Sequence, residues 1–139
     1  MLLVGLQFVC LGVLLSQLSL DGISLTGGVL LGTALFLATW ALAAMRKSRL
    51  RIQPIPASDA VLITSGPYRY IRHPMYTAVL TGSAGIASTS NSFLVIPVLL
   101  VLAVVLIIKL SWEEKMLVHK FAAYTNYKHR TWRLIPFLF

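Results

Sequence analysis

From Met1 to Met45 the chain carries one charged side chain, Asp21, and this constrains the fold more than any other feature. Leu2 to Leu20 is an apolar run interrupted by Gln7, Ser16 and Gln17, and Asp21-Gly22 breaks it. A second run extends from Ile23 or Leu25 to Met45, where Arg46, Lys47, Arg49 and Arg51 place four cations within six residues. About 20 apolar residues cross a bilayer, so each run has the length of a membrane helix. Met75 to about Ser88 and Phe93 to Leu110 form a second pair of apolar runs. The pattern predicts an all-α integral membrane protein with four transmembrane helices. A carboxyl-terminal amphipathic helix from Trp112 to about Lys128 follows, with Glu113, Leu117, Phe121 and Tyr124 near helical spacing. Trp112, Tyr124, Tyr127 and Trp132 suit interfacial depth, where a ring is half apolar and half wet.

Composition supports lipid as the solvent. Of 139 residues, 58% are hydrophobic and 12% charged, against about 25% charged in an ordinary soluble domain. The net charge of +8 raises nucleic acid as a partner. All 12 cations, however, lie at 46–51, 69–72, 109–120 and 128–133, at the ends of apolar runs. The turns near 21–25 and 88–92 carry none. Cytoplasmic loops explain this better than nucleic acid does, and the positive-inside rule puts both charged zones and both termini in the cytoplasm. A bacterial inner membrane fits that reading.

Within the apolar runs, Gly28 and Gly32 have the spacing that lets a second helix approach closely, with Gly27 beside them; the same glycines are equally compatible with no special role. Ala78, Gly82 and Gly85 lie along one side of the third run. Asn91 or Ser92 is placed to cap the fourth. Pro54, Pro56 and Ser65-Gly66-Pro67 make 52–72 a loop with turns.

The chemistry concentrates in two polar stretches. Thr64 to Tyr76 packs Tyr68, Arg69, Tyr70, Arg72, His73 and Tyr76 into the entry of the third run. A helix start offers free N–H groups to a ligand. Glu113-Glu114 ends the fourth run, where carboxylates are costly and tend to be paired or functional; a solvated cap, or a partner for Lys109 or Lys115, is the alternative. Arg130 is compatible with snorkelling to headgroups, and it also offers a planar donor fork suited to a carboxylate. Other site types find little support. The single cysteine, Cys10, permits no internal disulfide. His73, His119 and His129 lack the spacing of a metal site. No Ser-His-Asp arrangement is credible and no G-x-G-x-x-G occurs. From the residues alone, the reading is a cation-rich cytoplasmic pocket suited to an anionic or zwitterionic ligand.

Gly66-Pro67-Tyr68-Arg69-Tyr70-Ile71-Arg72-His73-Pro74-Met75-Tyr76, followed by Glu113-Glu114, Leu117, Phe121, Tyr124, Tyr127, Arg130 and Arg133-Leu134-Ile135-Pro136, resembles the isoprenylcysteine carboxyl methyltransferases and their phospholipid methyltransferase relatives. The resemblance covers roughly 53 to 136. It implies S-adenosylmethionine as cofactor, without a Rossmann domain, and a lipophilic small-molecule or lipidated acceptor drawn from membrane lipid. By the same resemblance, Gln53 and the backbone of Val61, Leu62 and Ile63 line the cofactor. Tyr68, His73, Pro74, Met75 and Tyr76 hold it, Arg130 faces the acceptor, and Glu113 or Glu114 supports the site by pairing with the cofactor's ammonium or with an arginine. The chain then divides into a two-helix anchor at 1–45, a cytoplasmic cofactor loop at 46–74, a helical hairpin at 75–111 and a catalytic tail at 112–139, all within one membrane domain. The tail departs from the family pattern at Phe121-Ala122-Ala123-Tyr124, which lacks a glycine and is one residue shorter. The acceptor therefore stays open between a prenylcysteine-like carboxylate and a lipid amine or thiol. Two other readings remain, a non-enzymatic membrane scaffold or transport subunit and an NADPH-dependent enzyme resembling the sterol reductases.

Overall fold

A computed structural model of the chain describes residues 2–19, 23–46 and 62–139. These contain five α-helices: α1 (Leu2–Ser16), α2 (Leu25–Met45), α3 (Pro74–Thr89), α4 (Val95–Lys120) and α5 (Tyr124–His129), with a 310 turn at Gly66–Arg69. No strand forms among the described residues beyond an isolated parallel bridge between Ile71 and Trp132.

Two helices are long and apolar enough to cross a membrane, α2 with 21 residues and α4 with 26. At 1.5 Å per residue they reach roughly 31 and 39 Å, against a hydrocarbon core of about 30 Å. Burial separates them from soluble core helices, which are mostly covered. Only 6% of the apolar window of α2 and 28% of that of α4 is buried inside the protein. Leu25, Val29, Leu35 and Phe36 on α2, and Ile96, Leu100 and Val104 on α4, face outward. These surfaces are built to meet lipid.

Of the two shorter helices, α3 falls where its apolar run places it, and α1 differs from expectation. α1 stops at Ser16, whose hydroxyl donates to the Val13 carbonyl, rather than continuing to Leu20. Its 15 residues make about 22 Å, less than a full crossing. α3, with 16 residues, is similarly short.

The expected break near Ser111 and a separate helix from Trp112 to Lys128 are corrected: α4 runs unbroken to Lys120. Nothing between Val98 and Lys120 breaks a helix, since that stretch contains neither Gly nor Pro. The break falls at Phe121, whose backbone is extended, and the short α5 follows. Leu94, not Asn91 or Ser92, is the N-cap of α4, and no side-chain oxygen caps the helix.

α2 packs chiefly on α3 and on the 310 turn, while α1 packs chiefly on α4. The α2–α3 seam is close because it is lined by small residues. A Cβ on Gly85 would stand 3.0 Å from Leu31 Cγ, and one on Gly82 3.3 Å from Ala34 Cβ. The close approach thus uses Gly82 and Gly85 of α3, with Gly27 of α2. At Gly32 nothing lies within 4 Å of a Cβ position, so the Gly28/Gly32 pair does not form this seam. Gly66 starts the 310 turn at φ 62° against Ala44 and Trp40, a conformation that side chains with a Cβ disfavour. It anchors the polar stretch to the end of α2. Cys10, Leu14, Ile86, Val95, Leu102 and Leu106 form the buried apolar cluster between α1, α3 and α4.

Candidate active site

The two polar stretches meet. Arg72 N donates to Trp132 O at 2.7 Å, His73 N to Arg133 O at 3.1 Å and Trp132 N to Tyr70 O at 3.0 Å. Thr77 Oγ1 adds a bond to Leu134 O at 2.8 Å. The tail is thereby laid along the entry of α3. Pro74 occupies the first position of that helix, where its missing N–H costs nothing. The His73 carbonyl accepts from Tyr76 N and Thr77 N.

The end of α4 supplies two carboxylates with different surroundings. Glu114 is 3% exposed and gripped from both stretches: Arg72 Nε donates to Oε1 at 2.7 Å and Arg133 Nε to Oε2 at 3.2 Å. The Arg72 guanidinium also donates to the Lys128 and Thr131 carbonyls, tying in the end of α5. Glu113 accepts from Tyr76 Oη at 2.5 Å, and its other oxygen lies 3.8 Å from His73 Nδ1. No Arg or Lys lies within ion-pair distance of Glu113 among the described residues.

His73 stands between the two carboxylates. Its ring is stacked on Tyr76, centroids 5.5 Å apart and 9° from parallel. Its Nε2 lies 3.5 Å from Glu114 Oε1 and is buried without a hydrogen bond among the described residues. Tyr124 Oη is in the same condition. Tyr124 was expected at interfacial depth and is instead 1% exposed, filling the space beneath α5.

Tyr68 and Tyr127 frame the opposite side. Tyr127 Oη donates to the Tyr68 carbonyl at 2.6 Å. Burial, reinforced by the negative charge of Glu113, pushes the Tyr68 phenol up to about 12. Burial likewise pushes the Tyr124 and Tyr127 phenols up. All three remain O–H donors at neutral pH and are unsuited to serve as bases. Beyond Tyr127 opens a cleft of about 530 Å³, lined by Thr64, Arg69, Ala123, Asn126, Tyr127, Arg130 and Thr131.

The structure therefore gathers His73, Tyr76, Glu113 and Glu114 into one cluster, with Pro74 beneath it, and places Arg130 apart, exposed in the cleft with Arg69. Met75 is half-buried in the first turn of α3, Ile63 is buried and Leu62 half-buried. Gln53 and Val61 lie outside the described residues. Sequence reasoning expected an arginine to pair with Glu113 or Glu114 but did not single out Arg72 and Arg133, which fix Glu114, and it gave no role to Gln7. A buried carboxylate demands cationic partners, but long-range pairing had to be known before Arg72 and Arg133 could be selected from 12 cations. Among the described residues no group of three or more His, Cys, Asp or Glu is placed to hold a metal ion.

Lipid-facing helices ending in a carboxylate–arginine–histidine cluster define a membrane protein with a polar site at one end of its helices. The phospholipid methyltransferase family model matches residues 23–124, most of the chain, and the chain belongs to that family of membrane methyltransferases. The cobalt-zinc-cadmium resistance protein CzcN of Cupriavidus metallidurans is 35% identical over 76 residues, covering 54% of this chain and 35% of that protein. The chain thus spans about a third of that curated relative's length. No solved structure matches.

Proposed function

We propose that the chain transfers a methyl group from S-adenosylmethionine to a lipophilic acceptor at the cytoplasmic face of a membrane that it crosses four times, α1 and α3 being shorter spans. One observation carries this reading: Glu113 is a partly buried carboxylate, held by a phenol and by no arginine or lysine among the described residues. A cationic ligand suits such a group, because a carboxylate and adjacent aromatic faces both attract positive charge. The Nδ1 of His73, 3.8 Å from Glu113, is a further polar group beside it. These residues fit a sulfonium ligand that also carries an ammonium group.

When bound, S-adenosylmethionine supplies the electrophilic methyl carbon. The protein's task is then alignment and exclusion of water. Glu113 holds the cationic end, while Tyr68, His73 and Tyr76 pack about it on the Pro74–Met75 start of α3. Glu114 is spent on Arg72 and Arg133, so its contribution is to hold the two polar stretches together. Leu62 and Ile63, with Gln53 and Val61 before them, complete the cofactor's surroundings in this reading. Arg130, with Arg69 across the cleft, holds the acceptor by an anionic group. A carboxylate acceptor is already nucleophilic. An amine or thiol must first lose a proton; in this reading His73 is the candidate base, since Glu113 is engaged by the cofactor and Tyr68 stays protonated.

Transfer of labelled methyl to prenylcysteines, phosphatidylethanolamine and small thiols by the purified protein tests this reading. One acceptor class should become labelled, and Arg130→Ala should abolish labelling while S-adenosylmethionine still binds. Loss of cofactor binding in that variant would move Arg130 to the cofactor. Calorimetric binding of NADPH but not of S-adenosylmethionine would favour the reductase reading, and binding of neither the scaffold.

A further inference from the structure

Lys109 lies on α4 one helical turn before Glu113, after a stretch of α4 from Val95 to Ile108 with no charged side chain. An ammonium group at such a position is costly and ordinarily snorkels outward to water. Here it turns inward, to the seam between α1 and α3. Its Nζ donates to Gln7 Oε1 at 3.1 Å and stands 5.2 Å from the centroid of the Tyr76 ring. No carboxylate lies within ion-pair distance of it among the described residues. Gln7 is buried, 9% exposed, on a helix whose other buried residues are Cys10 and Leu14.

Tyr76 is consequently held at three points: its ring stacks on His73, the Lys109 cation sits over the ring, and its hydroxyl donates to Glu113. A cation over the face of a phenol draws electron density from the ring, so the O–H becomes a stronger donor. The polar chain Gln7, Lys109, Tyr76, Glu113 then runs from α1 to the carboxylate. α1 lies wholly outside residues 23–124, which the family model matches.

We propose that Lys109, braced by Gln7, is a positioning residue that fixes Tyr76 as the donor to Glu113, which makes the first helix a working part of the site as well as an anchor. The proposal rests on the methyltransferase reading for its functional consequence, but the coupling itself does not.

The test is a double-mutant cycle between Lys109→Met and Tyr76→Phe, in detergent-solubilised protein. S-Adenosylmethionine affinity is read by calorimetry and the unfolding midpoint by thermal scan. Lys109→Met should weaken binding roughly tenfold, the scale of one partly desolvated cation–π contact. Lys109→Arg should recover affinity to within about threefold, and Lys109→Met should add little on the Tyr76→Phe background. Gln7→Leu should lower affinity without lowering turnover at saturating cofactor. Wild-type affinity in Lys109→Met, or costs that add fully to those of Tyr76→Phe, would overturn the proposal. Should the wild-type protein not bind S-adenosylmethionine, the functional reading fails. The thermal cycle then decides the coupling, non-additivity sustaining it and additivity refuting it. If Lys109→Met does not fold, the same cycle is run with Gln7→Leu.

Discussion

Glu113 and Glu114 are neighbours in sequence and opposites in setting. Glu114 is buried and held on both oxygens by guanidinium groups from the two polar stretches. Glu113, on the next face of α4, is held among the described residues by Tyr76, with His73 at ion-pair distance. A buried carboxylate held on both sides has little left to offer a ligand. One held by a neutral donor keeps its charge available. The comparison teaches that the first holds the two polar stretches together, and that the second is the carboxylate to which the proposed function assigns a ligand.

Removing one member of the buried pair tests the first half of that contrast most severely. Glu114→Ala or Arg72→Met should destabilise the fold by about 3–5 kcal/mol, because the surviving charge is left buried without its partner. Thermal or denaturant unfolding in detergent measures this. A cost near zero would mean that the tail is not anchored through Glu114.

Thr77→Val should loosen the docking of the tail on α3 by about 1 kcal/mol, the net worth of its hydrogen bond to the Leu134 carbonyl. Faster proteolysis after Arg130 or Arg133 would report it. Glu113→Gln should cost less, below about 1 kcal/mol, since the amide oxygen can still accept from Tyr76. A loss in Glu113→Gln as large as in Glu114→Ala would erase the distinction between the two carboxylates.

The smallest effect concerns pH. The phenol of Tyr68 is pushed up to about 12 in the folded protein, above the value of about 10 for a free tyrosine. Its contribution to stability is therefore fully present below pH 10 and is lost as the pH rises towards 12. Tyr68→Phe should flatten the stability profile in that window. An unchanged profile would show Tyr68 to be well solvated.

Much of this arrangement was legible beforehand, for identifiable reasons. Apolar run length announced α2 and α4, and His73-Pro74 marked the start of α3 because proline suits the first position of a helix. The meeting of the polar stretches near residues 69–73 and 130–134 was legible from their shared composition and their places at the ends of apolar runs. What escaped depended on tertiary contacts. Ser16 and Gln17 read as interruptions of a run long enough to span, yet the helix stops at Ser16. Tyr124 resembles an interfacial tyrosine until α5 folds over and buries it. Arg69 and Arg72 are indistinguishable by type, but the first faces the cleft and the second closes on Glu114. Gln7 looked like a tolerated interruption, and only the packing of α1 on α4 brings it to Lys109.

The central claim is that Glu113 receives a cationic methyl donor. Calorimetric titration of S-adenosylmethionine into the wild-type protein and Glu113→Gln, side by side in the same detergent, tests it directly. The account predicts saturable binding to the wild type and an affinity roughly tenfold or more lower in the variant, equivalent to about 1.4 kcal/mol. Equal affinity in the two proteins, or no binding to either, would contradict it.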